Sequence, residues 1–205
     1  MSMIRCLCLV SSLALAAVPR LALAAPQIGQ PAPDFTATDS DGQAVRLADL
    51  HGKEVVLEWT NDGCPFVSKL YRSGAMQQLQ HDATARGVVW LSVISSAPGE
   101  QGYADGSRAN ALTQSRNAAP THVLLDPDGA LGHLYGAETT PHLFVIAPTG
   151  ALAYMGGADS IASTRVEDLT RAEPFAREAI FAVLDNQPVQ HAVTRPYGCT
   201  VKYSS

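Results

Sequence analysis

The residues of this chain best suited to chemistry are its cysteines. Cys64 follows Asn61-Asp62-Gly63, a turn cluster, and precedes Pro65, a residue well tolerated at the first position of a helix. Thiolate is the reactive form of cysteine, and the free N–H groups at a helix start favour it. Cys64 therefore reads as a nucleophile, and its place in a loop predicts an accessible sulfur; the competing reading is a buried core cysteine. Cys199 lies near the other end of the chain, after Gly198. Two cysteines of this kind form either a structural bridge or a redox pair. Glu58 stands six residues before Cys64 among Val55, Val56, Leu57 and Trp59. Burial there raises its pKa and suits it to exchange a proton with a nearby thiol; the alternative is an exposed edge-strand carboxylate. His142 is a candidate proton shuttle or metal ligand, with a partly buried strand histidine as the plainer reading. Trp59 and Tyr71 read as packing residues.

Strands and helices must bring these groups together. Residues 54–60 (EVVLEWT), 87–95 and 121–125 are short β-branched runs that predict buried strands. Residues 142–146 and 151–155, joined by Ala147-Pro148-Thr149-Gly150, predict a β-hairpin. Helices are predicted from Pro65, with Phe66, Val67, Leu70 and Tyr71 on one face, and over residues 108–115, 130–135 and 174–185. Residues 25–44 read as an irregular lead-in with a turn at Asp41-Gly42. This order predicts an α/β fold, a central mixed sheet with helices on both faces, an N-terminal extension and a C-terminal tail.

The N-terminus has the pattern of a secretory signal: Arg5, an apolar run over Cys6–Val18, and Ala22-Leu23-Ala24 as a small-x-small cleavage site. The predicted division is a signal over 1–24, a main domain over 25–190 and a tail over 191–205 carrying Cys199. The expected location is periplasmic or secreted, with no membrane attachment after cleavage. Loss of Arg5 and Arg20 leaves twelve Lys and Arg against nineteen Asp and Glu, a net charge of −7. An acidic chain without a basic cluster gives no basis for binding nucleic acid. The six histidines show no ligand spacing, and neither a haem-attachment motif nor a phosphate-cradling glycine motif is present, so no cofactor is expected.

Several segments together resemble the thioredoxin-like redoxin and alkyl hydroperoxide reductase/thiol-specific antioxidant families. They are Gly29-Gln30-Pro31-Ala32-Pro33-Asp34-Phe35, Asp41-Gly42, the run Leu47–Leu57, and Glu58-Trp59-Thr60-Asn61-Asp62-Gly63-Cys64-Pro65-Phe66-Val67. Glu58 falls where thioredoxins carry a buried acid. Thr140-Pro141 resembles their Thr-cis-Pro loop, which packs beside the reactive sulfur. The tail Pro196–Tyr203 looks like that of a redoxin subgroup pairing Cys-Pro-Phe-Val with a C-terminal Gly-Cys. Val67 stands where thioredoxins have their second cysteine, and Asn61 stands where peroxiredoxins have a threonine, with Thr60 one residue back.

The resemblance implies a thiol oxidoreductase of thioredoxin-like fold. Cys64 attacks a peroxide or a disulfide, Thr60 and Glu58 tune it, and Pro141 shapes the substrate groove. Cys199 resolves the intermediate, within one chain or across a homodimer, and an external dithiol restores both thiols. The alternative is a non-catalytic module of the same fold that binds a protein partner or carries a metal.

Overall fold

The computed structural model describes residues 25–204, so the expected signal over 1–24 lies outside the described residues. A seven-stranded sheet forms the centre. Its core is a parallel trio: β3 (Val55–Trp59), β4 (Val89–Ile94) and β5 (His122–Leu125). The first two are buried along their whole length, as continuous apolar runs covered on both faces must be. The strand β7 (His142–Ile146) pairs antiparallel with β3, and β8 (Leu152–Gly156) closes the predicted hairpin on β7.

The lead-in is more ordered than its composition suggests. Residues Thr36–Asp39 form β1 and Ala44–Arg46 form β2, a hairpin turned at Asp41-Gly42 that extends the sheet beyond β5. The polar run Thr-Ala-Thr-Asp carries little apolar signal because β1 is held by backbone pairing and by the buried carboxylate of Asp39. That carboxylate accepts from the N–H groups of Asp41 and Gln43 and contacts His122 Nδ1. The resulting order is β2-β1-β5-β4-β3-β7-β8.

One face of the sheet is covered by α1 (Pro65–Arg72), α2 (Ala75–Thr84), α3 (Gly106–Ser115) and α5 (Phe175–Leu184). The predicted helix after Cys64 is two helices, because Gly74 takes φ 80° and turns the chain between them. On the other face, α4 (Ala130–Tyr135) packs Leu131 and Tyr135 against Leu57, Trp59 and Phe144. No described helix is long and apolar enough to cross a membrane.

The C-terminal tail is part of the fold. Residues 192–194 run beside β8, with hydrogen bonds between Met155 and both Ala192 and Thr194. The chain then crosses the end of the sheet, and Cys199–Thr200 form β9 against β6 (Thr139–Thr140). Beyond it, Val201 is buried against the α4 face, and Tyr203 stacks on His133 at 4.0 Å.

Candidate active site

Cys64 caps the N-terminus of α1 immediately beyond the buried strand β3. The Thr140–Pro141 peptide is cis, as the resemblance implied, and the loop it forms lies against the sulfur. Cys64 Sγ is 3.0 Å from the Thr140 carbonyl oxygen, to which the neutral thiol donates. In β9, Cys199 pairs with Thr140, so the tail delivers its thiol to the same point. Gly198 makes this approach achievable: a Cβ there would collide with the Thr140 carbonyl. A single chain therefore brings both cysteines to the Thr140 segment, where Cys199 packs against the core cluster that holds Cys64, and both are free thiols.

This arrangement corrects the expectation of an accessible sulfur. Cys64 is 0% exposed. The segment that carries Cys199, 135 residues further along the chain, pairs with the Thr140 strand beside it.

The two thiols are electrostatically unequal. Burial pushes the Cys64 thiol up, but hydrogen bonds from the Cys199 thiol, the Thr140 hydroxyl and the N–H groups of Val67 and Cys199 outweigh it. The Thr140 carbonyl favours the neutral thiol; the net direction for Cys64 is nonetheless down. Burial and the neighbouring Cys64 push Cys199 up to about 12. Cys64, at the helix start, is thus the more acidic of the two thiols, and Cys199 the one that holds its proton more tightly.

The structure places the other sequence-derived candidates further from the sulfur. Glu58 is buried, as its apolar flanks predicted, and burial raises its pKa despite its donors. It accepts from Tyr71 Oη at 2.9 Å, Trp90 Nε1 at 2.9 Å, Gln80 Nε2 at 3.0 Å and Ser92 Oγ at 3.1 Å. Its hydrogen bonds go to these four groups and not to Cys64. Tyr71 is thus more than a packing residue, since it ties α1 to Glu58. Thr60 is buried with its hydroxyl unpartnered, and it lines a small cavity with Asp62, Tyr71 and Arg116. It is not among the groups bonded to Cys64. His142 follows the cis-proline but points with Phe144 to the α4 face, where the two rings lie 4.5 Å apart. Its Nδ1 accepts from the Glu138 N–H, and burial lowers its pKa to about 4, so it is a neutral strand histidine.

Sequence reasoning missed Lys69, Asp159 and Tyr197. Lys69 is buried beneath the tail and paired with Asp159, with Nζ to Oδ2 at 3.0 Å. A lysine in the first helix after the motif reads as solvent-facing, and its partners lie 90 and 128 residues further on. The only local signal was that Lys69 lies between Val67 and Leu70 on a strongly apolar helix face. Beside this group a cleft of about 560 Å³ opens between Phe66, Thr139, Phe175 and Tyr197. Among the described residues, no three His, Cys, Asp or Glu side chains are grouped to hold a metal ion.

A cysteine at a helix start, beside a cis-proline, on a sheet of this order defines a thioredoxin-like redoxin. Residues 28–155 match the AhpC/TSA family, and the chain belongs to that family. Among solved structures, a hypothetical protein from Sinorhizobium meliloti shares the fold with a TM-score of 0.73 at 22% identity, covering 89% of this chain and 97% of the other. An uncharacterised conserved protein from Geobacillus kaustophilus matches with a TM-score of 0.72 at 22% identity, over 87% and 93% of the two chains. The exposed lipoprotein thioredoxin Etrx1 of Streptococcus pneumoniae matches with a TM-score of 0.52 at 22% identity, over 75% and 99%. A search of curated protein sequences finds no match.

Proposed function

We propose that this redoxin is an exported thiol peroxidase in which Cys64 is the peroxidatic nucleophile and Cys199 resolves it in the same chain. The observation that carries this reading is that the tail pairs Cys199 with Thr140, whose carbonyl meets the Cys64 sulfur at 3.0 Å, with Cys64 the more acidic of the two thiols. The Cys64 thiolate attacks one peroxide oxygen, the O–O bond breaks, and Cys64 becomes a sulfenic acid while an alcohol or water leaves. The Cys199 thiol then attacks the Cys64 sulfur; the S–O bond breaks, water leaves and a disulfide forms. An external dithiol reduces this disulfide by thiol exchange and is itself oxidised. With a neighbouring thiol supplied by the tail, the Val67 position needs no cysteine.

The choice of peroxide over a protein disulfide rests on burial. A nucleophile that is 0% exposed under the tail admits a molecule of a few atoms far more readily than a folded protein. Export rests on the signal pattern over 1–24. The test is mass spectrometry of the reduced protein after one equivalent of hydrogen peroxide with a sulfenic-acid trap. A trapped adduct on Cys64, replaced by a Cys64–Cys199 disulfide when the trap is omitted, supports the cycle. A protein whose Cys64 stays reduced under peroxide but exchanges with a small disulfide would show disulfide chemistry instead.

A further inference from the structure

The mechanism above makes no use of Lys69, although its side chain is 0% exposed. A lysine so placed must be neutralised and hydrogen-bonded to remain charged. Its ammonium meets three acceptors: Asp159 Oδ2 at 3.0 Å, Tyr197 Oη at 3.0 Å and the Ile161 carbonyl at 3.4 Å. The Tyr197 ring centroid also lies 5.2 Å from Nζ, and the ring packs edge-on against Phe66 at 5.8 Å.

The chain positions of these groups give the contact its meaning. Lys69 and Phe66 belong to α1, the helix that Cys64 caps. Tyr197 stands two residues before Cys199, about 7 Å along an extended chain. The Lys69–Tyr197 contact, anchored by Asp159 just beyond β8, therefore joins the helix that one cysteine caps to the segment that carries the other. If the tail lifts, one ammonium proton and the Tyr197 hydroxyl lose their buried partner, which opposes opening.

We infer that Lys69, Asp159 and Tyr197 form a clasp that holds the tail closed, so that Cys199 stays against Cys64 and bulky reagents are kept from it. They are positioning residues, and this role rests on the reading of Cys199 as the resolving thiol. The clasp sets two properties of the site together: how fast the Cys64 sulfenic acid is captured, and how large a reagent reaches Cys64.

The variant that isolates the contact is Tyr197→Phe, which keeps the ring on Phe66 and removes only the hydroxyl. The experiment compares the rates at which reduced protein reacts at Cys64 with methyl methanethiosulfonate and with a polyethylene-glycol maleimide, each adduct located by peptide mass spectrometry. Loss of one hydrogen bond to a charged group predicts that Tyr197→Phe raises the maleimide rate relative to the small reagent by about tenfold. Conversion of the Cys64 sulfenic acid to the disulfide should slow by a similar factor. An unchanged ratio of the two rates, with or without a lowered melting temperature, would overturn the clasp and leave Lys69 a purely structural pair. Failure of the peroxidase reading is separate: it shows as wild-type Cys64 forming no sulfenic acid, while the alkylation ratio stays readable.

Discussion

Two glutamates, Glu58 inside β3 and Glu54 just before it, sit in opposite circumstances. Glu58, near the site, is met by four donors from α1, α2 and β4. Glu54, four residues earlier on the same face, is also buried, and neither of its carboxyl oxygens has a hydrogen-bond partner. Burial pushes Glu54 up to about 8, and the nearby Arg86 only partly offsets this. The polar groups of the core are thus concentrated where the strand feeds Cys64. There they fix Tyr71, and through it α1, the helix whose first N–H groups face the sulfur. At the far end nothing needs to be held in register, and a lone carboxyl is tolerated by staying protonated.

Substitutions at the two ends should differ in kind as well as size. The largest effect is expected from Cys64→Ser, just beyond the site end, which should reduce peroxide turnover by at least about a thousandfold, because a serine hydroxyl is not appreciably ionised at neutral pH. A coupled peroxidase assay checks it. Cys199→Ser should leave the first oxidation intact but let the sulfenic acid persist, visible as trapped adduct with no disulfide.

Glu58→Gln should destabilise the fold by about 1–3 kcal/mol, since an amide NH₂ would face donors that now find an acceptor. Urea unfolding measures this, and a loss below about 0.5 kcal/mol would erase the contrast between the ends. Glu54→Gln should have the smallest effect at low pH, where its carboxyl is protonated in both states, and a growing one as pH rises. The native state keeps the Glu54 proton up to about pH 8, whereas the unfolded chain releases it near pH 4.3. Between those values the native state binds more protons, so stability falls as pH rises, and the variant should flatten that fall. Relative to its effect at pH 4, the variant should gain up to about 5 kcal/mol at pH 9, the linkage expected for pKa values of about 8 and 4.3, read from urea unfolding at the two pH values.

Much of the fold was legible in the sequence. The buried strands β3, β4, β5 and β7 announced themselves as mainly apolar, β-branched runs, and turn residues bounded them. What escaped were elements made by backbone pairing: β1 and β2, whose residues are polar, and β6 and β9, which are only two residues each. The place of Cys64 at a helix start was equally legible, because it follows a turn and precedes Pro65. Its burial was not, since the covering segment is remote in sequence. Glu58 was read correctly as buried, but its partners Tyr71, Gln80, Trp90 and Ser92 were not identifiable from spacing.

The sequence by itself determined the alternation of strands and helices, the helix-capping cysteine and the acid that precedes it, because periodicity, turn chemistry and capping act between near neighbours. Only the tertiary structure decided which thiol is the more acidic, that Lys69 faces inward and that the tail closes over Cys64. Those depend on charges and hydrogen bonds between groups up to 135 residues apart, and burial gives such contacts their strength only once the chain has folded around them.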